Sequence, residues 1–433
     1  MLTEPIGSAV RTLPLYDPAP PDADGWHAVR SPGGYEWWHF DAEDDSGQVR
    51  FVIGMGEGFM FHPGYLRRYY QFLADPTRHV PPLPGGYPCI WFVAFEGERV
   101  LAEYLTQVRP EEFAASAAGP EVRVGPNHLS RNADGSLRLR LSGGTARSAD
   151  GLISGELTFH PQLIGRLKNA CRENHPPFPS PATPGEGQGE GLSLSSEKSD
   201  GTRNSPHPNP LPEYRERERS AATAEDGFPT TGNNTASAVL DRDFLSRKIT
   251  GADHRWIIAN PLCRVEGEIH LRGRLIRFAG RGYHDHNFGS APLGPGLRRW
   301  VRGRVLWDDG MFAFHYARPR RRRLGDEVSL VQHDASGVRQ VPVKLARTNW
   351  SGRTARAVRY PTRLHLRTMD AAPVEIRLEA PRVIHATHYR LLLTYEARFG
   401  QRTGKAFCEV GYPRRLTWPV VGRMIENSIE KPG

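Results

Sequence analysis

Gly280-Arg281-Gly282-Tyr283-His284-Asp285-His286-Asn287-Phe288-Gly289 is the stretch that decides how this chain folds. Five consecutive side chains, Tyr283 to Asn287, handle protons or hydrogen bonds, and glycines bound them. A helix would scatter them around its axis, whereas a strand points successive side chains to opposite faces. As a strand, Tyr283, Asp285 and Asn287 share one face, and His284 and His286 share the other. Upstream, Asp253-His254-Arg255-Trp256-Ile257-Ile258 reads as a second strand with His254 and Trp256 on a common face. An acid, a phenol, an imidazole and an indole are then offered to one cavity. That set suits proton transfer to an electron-rich apolar compound.

The same period continues outward. Leu137-Arg138-Leu139-Arg140-Leu141 alternates strictly, as do Glu268 to Leu271 and Arg274 to Phe278. Short apolar runs at 50–54 and Ile90 to Phe95, and strand-like runs at Met311 to Tyr316, Thr362 to Leu366 and Tyr389 to Tyr395, extend the pattern. Gly, Pro, Asp and Asn punctuate it, and long amphipathic helical patterns are scarce. Many short strands at such spacing predict an all-β chain of barrels or sandwiches.

With 433 residues the chain can build two substantial cores. Its hydrophobic share, 38%, is low for one compact globule. The deficit is concentrated between about Glu173 and Ala238, which holds His175-Pro176-Pro177-Phe178-Pro179, a Gly/Glu repeat at 185–191 and Arg215-Glu216-Arg217-Glu218-Arg219. Such a run buries too little apolar area to offset its ordering entropy. The expected division is therefore a β domain over 1–172, a disordered low-complexity insertion over 173–238, and a second β domain over 239–433 that carries the site.

The four cysteines, Cys89, Cys171, Cys263 and Cys408, show no CxxC spacing, which argues against a zinc knuckle or redox pair. Met1 to Pro5 does not read as a signal peptide, and no apolar stretch approaches a bilayer span. The expected setting is the cytoplasm, with peripheral contact on the inner membrane face left open. The net charge of +9 is partly local, in Arg318-Pro319-Arg320-Arg321-Arg322-Arg323. A solvated hairpin tip is the plain reading, and attraction to anionic headgroups the functional one. Nucleic acid is not expected as a partner, because no aromatic residues interleave these arginines.

Tyr35-Glu36-Trp37-Trp38-His39-Phe40-Asp41 is a second unusual run. On a strand, Glu36, Trp38 and Phe40 face one way and Trp37, His39 and Asp41 the other. Two adjacent indoles can simply be core, but a buried Glu36 needs a partner or a ligand. Glu36, Trp37 and Trp38, with Asn287 and His286, are the candidates to line a substrate cavity. Met55 to Phe61 reads as an apolar loop or bulged strand. The His284-x-His286 pair has a spacing that permits metal ligation with a third ligand from His254, His270 or His315, but Asp285 would point away from it. No metal is expected. There is no G-x-S-x-G elbow, no Walker A loop and no dinucleotide fingerprint in a strand-to-helix setting.

Tyr35 to Ala42 resembles the early E-W-W-aromatic-F-D motif of the carotenoid 1,2-hydratases, the hydroxyneurosporene synthase family. His254-Arg255-Trp256 and Gly282 to Gly289 resemble the later motifs of that family. The resemblance covers most of the chain outside 173–238. It implies two lipocalin-like β domains, no metal or organic cofactor, and addition of water across the terminal double bond of an acyclic carotenoid. It also implies Asp285 as proton donor, with Tyr283, His254 and Trp256 around it. Relatives of the fold include cyclases, so a cyclase or isomerase using the same acid is the enzymatic rival. A carrier of an apolar ligand is the non-enzymatic one.

Overall fold

The computed structural model describes residues 23–143, 153–162 and 254–430, apart from 60, 295, 308–309, 321–324, 353–355 and 357. The expected insertion at 173–238, and Cys171, lie outside them. In chain order the first strands are β1 (Tyr35–Asp44), β2 (Val49–Glu57), β3 (Cys89–Glu96), β4 (Arg99–Gln107), β5 (Phe113–Ala115), β6 (Val122–Val124), β7 (Asn127–Arg131), β8 (Leu137–Gly143), β9 (Ile153–Pro161), β10 (Arg255–Leu271) and β11 (Arg274–Gly289). Then come β12 (Leu297–Trp307), β13 (Gly310–Pro319), β14 (Glu327–Asp334), β15 (Gly337–Gln340), β16 (Val343–Trp350), β17 (Pro361–Thr368), β18 (Glu375–Ala386), β19 (Arg390–Phe399), β20 (Arg402–Gly411) and β21 (Ile429–Glu430). Two α-helices, α1 (Pro63–Ala74) and α2 (Pro419–Ser428), and short 3-10 turns at Pro84–Gly86, Pro110–Glu112 and Pro413–Thr417 accompany them.

The strands form two curled sheets, so the all-β expectation is borne out. The first has 12 strands in the order β21-β4-β3-β2-β1-β11-β10-β9-β8-β7-β6-β5, and the second 9 in the order β15-β14-β13-β12-β20-β19-β18-β17-β16. The sheets do not follow the division at 239. β10 and β11, which carry the 254–256 and 280–289 motifs, belong to the first sheet and pair with β9 and β1. All the described residues fall in one compact unit.

The alternating sequences produce one-sided strands. In β8, Leu137, Leu139 and Leu141 are buried while Arg138 and Arg140 are exposed. β1 instead is buried along both faces over its first eight residues. The reason is its position. One face, with Trp38 and Phe40, joins a core that the first sheet encloses by curling, together with Phe51, Ile53, Phe92, Leu139 and Phe159. The other face, with Tyr35 and Trp37, joins the second sheet's core of Trp300, Val301, Phe314, Leu391 and Val410. A strand covered on both sides reads as a near-continuous apolar run, which is what Tyr35 to Ala42 does.

Two local features shape the site. The register of β10 on β11 slips between Ile257 and Asn260 and again between Asn260 and Cys263. Pro261, which has no N–H to donate, sits in that irregularity, where a strand tolerates proline. At Gly289, a Cβ would lie 2.6 Å from the Tyr35 hydroxyl. Only glycine leaves room for that ring.

Helix α1 is absent from the strand pattern read in the sequence. Its buried side chains, Tyr65, Leu66, Tyr69 and Phe72, follow a helical period but are mostly aromatic, a type enriched in strands. His62 caps it by accepting from the Tyr65 amide, and Pro63 occupies the first turn. The basic cluster after Arg318 joins β13 to its antiparallel neighbour β14, as a hairpin tip would. Arg321 to Arg323 lie outside the described residues.

Candidate active site

β11 pairs with β1 so that Asn287 faces Trp37, Asp285 faces His39, and Tyr283 faces Asp41. This is the β11 face that looks toward the second sheet. Asp285 is buried, with 2% of its surface exposed. Its Oδ2 accepts from the Trp256 indole at 2.9 Å, and its Oδ1 accepts from the Asn287 amide at 2.6 Å. A guanidinium nitrogen of Arg302, on β12, lies 3.8 Å from Oδ2. Hydrogen-bond donors and a guanidinium thus surround this carboxyl.

Tyr283 is buried beside it, and its hydroxyl has no hydrogen-bond partner among the described residues. An unsatisfied buried hydroxyl costs about 1–3 kcal/mol, which a ligand or a water would relieve. Burial pushes this phenol well above its ordinary range, so it stays protonated. Arg304 stands 5.0 Å from the Tyr283 ring centroid and pairs with Asp41. His254 precedes β10; its Nδ1 lies 2.8 Å from the Tyr35 hydroxyl, and its ring stacks near Trp37.

Two small cavities lie beside Asp285 and His254, among others at this interface. One, of about 30 Å³, is lined by Trp256, Tyr283, Asp285, His39, Phe407 and Arg304, among others. The other, of about 20 Å³, is lined by aromatic residues including Trp37, Phe61, Trp91 and Trp300, with His254 and Asn287. Arg302 and Glu409 line both, and they pair at 3.3 Å across the β12–β20 register. Each void has room on the order of one or two waters. A long ligand would need this pair to move and the two to merge.

The other predicted residues lie elsewhere. Glu36, Trp38 and His286 sit on the opposite faces of β1 and β11, away from Asp285. There Trp38 stacks on His286 at 4.2 Å. His286 Nε2 is 3.0 Å from Glu36, and His284 Nε2 is 3.0 Å from Asp24. Of the five residues expected to line the substrate cavity, Trp37 and Asn287 are with Asp285 and these three are not. Burial would raise the Asp24 carboxyl, but its partners, His284 foremost, outweigh it and hold it at about 2. Burial would likewise raise Glu36, and hydrogen bonds from His27 and His286 bring it below its ordinary value.

His27, Glu36 and His286 bring ligand-type atoms within 4.8 Å of one another, and could hold a metal ion. His27 Nδ1 and His286 Nε2 both approach Glu36 Oε1 at 3.0 Å, so one carboxylate oxygen already engages both rings. They stand on the face of β11 turned away from Asp285. Exhaustive chelation is therefore expected to leave turnover unchanged, and a chelation-sensitive rate would overturn that expectation.

Four buried histidines give the fold an acid limit. Burial, aided by the Arg302 charge, brings His254 down to about 3, and burial brings His333 to about 3. Burial also holds His39 and His315 well below the ordinary value. The unfolded chain takes up protons on these rings near pH 6.5, and the folded chain does not. Their stability is full above that pH and is lost as pH falls toward about 3, by up to ~1.4 kcal/mol per unit for each ring. His286 runs the other way: burial lowers it, but Asp24 and Glu36 outweigh burial and raise it, so its contribution is lost as pH rises. Asp24 and Glu36 act only at lower pH. The urea midpoint is expected to fall steadily from pH 7 to pH 5. A flat profile would mean the four rings are not held neutral.

Comparison with known proteins bears on this geometry. A carotenoid hydratase CrtC family model matches part of this chain. The family model matches residues 235–421, which include His254-Arg255-Trp256 and Gly282 to Gly289 but not Tyr35 to Ala42. The resemblance stated from the motifs is thus borne out. Hydroxyneurosporene dehydrogenase of Chlorobaculum tepidum is 24% identical over 292 residues, covering 65% of this chain and 56% of that protein. The chain therefore spans about half the length of the curated relative it matches. The solved structure of AttH from Nitrosomonas europaea has a TM-score of 0.51 at 14% identity, covering 92% of this chain and 99% of that one. It shows a shared fold, and the lipocalin-like expectation is borne out. Kievitone hydratase from Nectria haematococca, at a TM-score of 0.40 and 9% identity over 92% of this chain and 97% of that one, is too distant to argue from.

Sequence reasoning missed Arg302, Glu409, His39 and the Asp41–Arg304 pair. His39 and Asp41 were legible as partners of Trp37 on one strand face. Arg302 and Glu409 carry no motif; only the approach of the second sheet reveals them.

Proposed function

We propose that this protein hydrates the terminal carbon–carbon double bond of an acyclic carotenoid or a related terpenoid, with no metal or organic cofactor. The observation that carries the reading is a buried Asp285, held by the Trp256 indole, in an inter-sheet cavity with Tyr283. The Asp285 proton goes to the less substituted alkene carbon, and the π electrons form that C–H bond. A tertiary cation is left at the neighbouring carbon. The faces of Trp256 and Tyr283 stabilise it, although Arg304 already stands over the Tyr283 ring. Water attacks the cation through oxygen, and the oxonium loses a proton to His254. That imidazole is neutral, and although burial makes it a weak base, an oxonium needs no stronger one. The Asp285 carboxylate left behind keeps its bonds from Trp256 and Asn287; His254 gives its proton up to solvent and Asp285 takes one back, which restores both groups. The sum is one water added.

Bulk water has to stay out until the cation has formed, and the inter-sheet burial of Asp285 supports that. A long polyene is scarcely soluble, so this reading also calls for contact with a membrane surface on the cytoplasmic side.

The test is the pigment profile of cells that make lycopene or neurosporene, with and without this chain. A product heavier by one water is expected. An isomer of equal mass would favour cyclisation or isomerisation, unchanged pigment a carrier, and a product short of two hydrogens the oxidation named for the Chlorobaculum protein.

A further inference from the structure

The last turn of the fold is amphipathic in an unusual direction. Helix α2 buries Val421, Gly422 and Ile425 and packs on α1. Its outer face leaves Val420 66% and Met424 46% exposed, one turn apart, with Trp418 48% exposed just before the helix. Three of the eight exposed large apolar side chains among the described residues thus fall within seven positions of chain. The inner face of the helix is buried at Val421, Gly422 and Ile425, so this stripe is not a failure of the core.

Its surroundings are basic. The stretch 413–425 contains Arg414, Arg415 and Arg423 and no Asp or Glu. Arg414 and Arg423 are exposed, as are Arg67 and Arg68 on the neighbouring helix α1. Glu426 is the acidic group that answers them, paired with Arg67 at 3.0 Å. Arg415 lies 5.1 Å from the Trp418 ring centroid and binds the His388 carbonyl, which steadies the indole in its exposed position. Trp at the rim, aliphatic side chains at the centre and arginines around them are what a headgroup layer accommodates. Charge complementarity points to an anionic one.

The buried side of this segment joins the core that holds walls of the aromatic cavity. Leu416, Val421 and Ile425 belong to the same core as Phe61, Leu293, Leu297 and Trp300, which line that cavity.

We propose that Trp418, Val420 and Met424, with Arg414 and Arg423, dock this protein on the surface of an anionic phospholipid bilayer. Apolar side chains enter the headgroup boundary, and the arginines meet lipid phosphates. Delivery of a membrane-dissolved substrate to the aromatic cavity rests on the hydration reading; the docking itself does not.

The test uses the full chain and sedimentation with vesicles of phosphatidylcholine, alone or mixed with phosphatidylglycerol. Binding to the mixed vesicles is expected, with little to phosphatidylcholine alone. Val420→Asp/Met424→Asp and, separately, Arg414→Glu/Arg423→Glu are each expected to weaken partition at least about tenfold, with thermal unfolding unchanged because the side chains are exposed. Equal partition by either double variant overturns the proposal. So does a concentration-dependent dimer that Val420→Asp/Met424→Asp abolishes without any vesicle binding by the parent, which would assign the patch to a second copy. If vesicle binding behaves as expected and no arm turns over substrate, docking stands and the hydration reading fails.

Discussion

Asp285→Asn is expected to bind substrate and to lose on the order of 10²–10⁴-fold in turnover, the range that general acid catalysis supplies. The substitution keeps the size of the side chain and an oxygen for the Trp256 indole, which donates at 2.9 Å in the parent. It also keeps a polar group beside Asn287, whose own amide oxygen has no hydrogen-bond partner among the described residues and can turn toward the new amide. What it removes is the acidic proton, and an alkene has no easier route to protonation. The loss should appear in kcat, with little change in substrate affinity. Asp285→Glu is expected to keep more activity but still to suffer from a misplaced proton. Trp256→Phe should cost less than Trp256→Ala, because a π face remains while the indole donor goes. The measurement is turnover of lycopene or a shorter terminal-isoprene analogue, beside a thermal unfolding check on each variant. Turnover near the parent's by Asp285→Asn would remove this residue from the chemistry and favour a carrier.

Arg304→Ala is expected to give the largest loss of stability. Arg304 on β12 pairs with Asp41 on β1, so the contact ties one sheet to the other, and both residues are nearly buried, at 5% exposed each. Deleting the guanidinium leaves the Asp41 carboxylate buried without its partner. Breaking such a pair costs about 3–5 kcal/mol. In a protein of this size that is a fall in Tm of roughly 3–8 °C. Replacing both partners removes the stranded charge, so Asp41→Leu/Arg304→Met should recover most of the loss. The comparison of the three proteins in urea and by thermal melting decides it. A shift within about 0.5 kcal/mol for Arg304→Ala would place this pair among ordinary surface contacts.

The strand pattern was legible because side-chain direction in a strand has a period of two. It put Tyr283, Asp285 and Asn287 on one side of β11 and the two histidines on the other, which is how the sheet holds them. The same rule bears on the substrate-cavity candidates. Trp37 and Trp38 are consecutive on β1 and cannot both face Asp285. Helix α1 was hidden because its buried stripe is written mostly in aromatic residues, and its helical period shows once its cap at His62 is seen.

By itself the sequence determined the all-β class, the strands around 254–289, their two faces and the grouping of Asp285 with Tyr283 and Trp256. These are local properties, fixed by alternation and by side-chain chemistry within a few residues. The tertiary structure alone decided which face of β11 meets the second sheet. It thereby brought Arg302 and Glu409 to the carboxyl, Arg304 to Asp41, and Asp24 to His284. The last of these partners are 260 positions apart in the chain. No periodicity carries across such a distance; the curling of the first sheet on itself sets this contact, and the closing of the second sheet on the first sets the others.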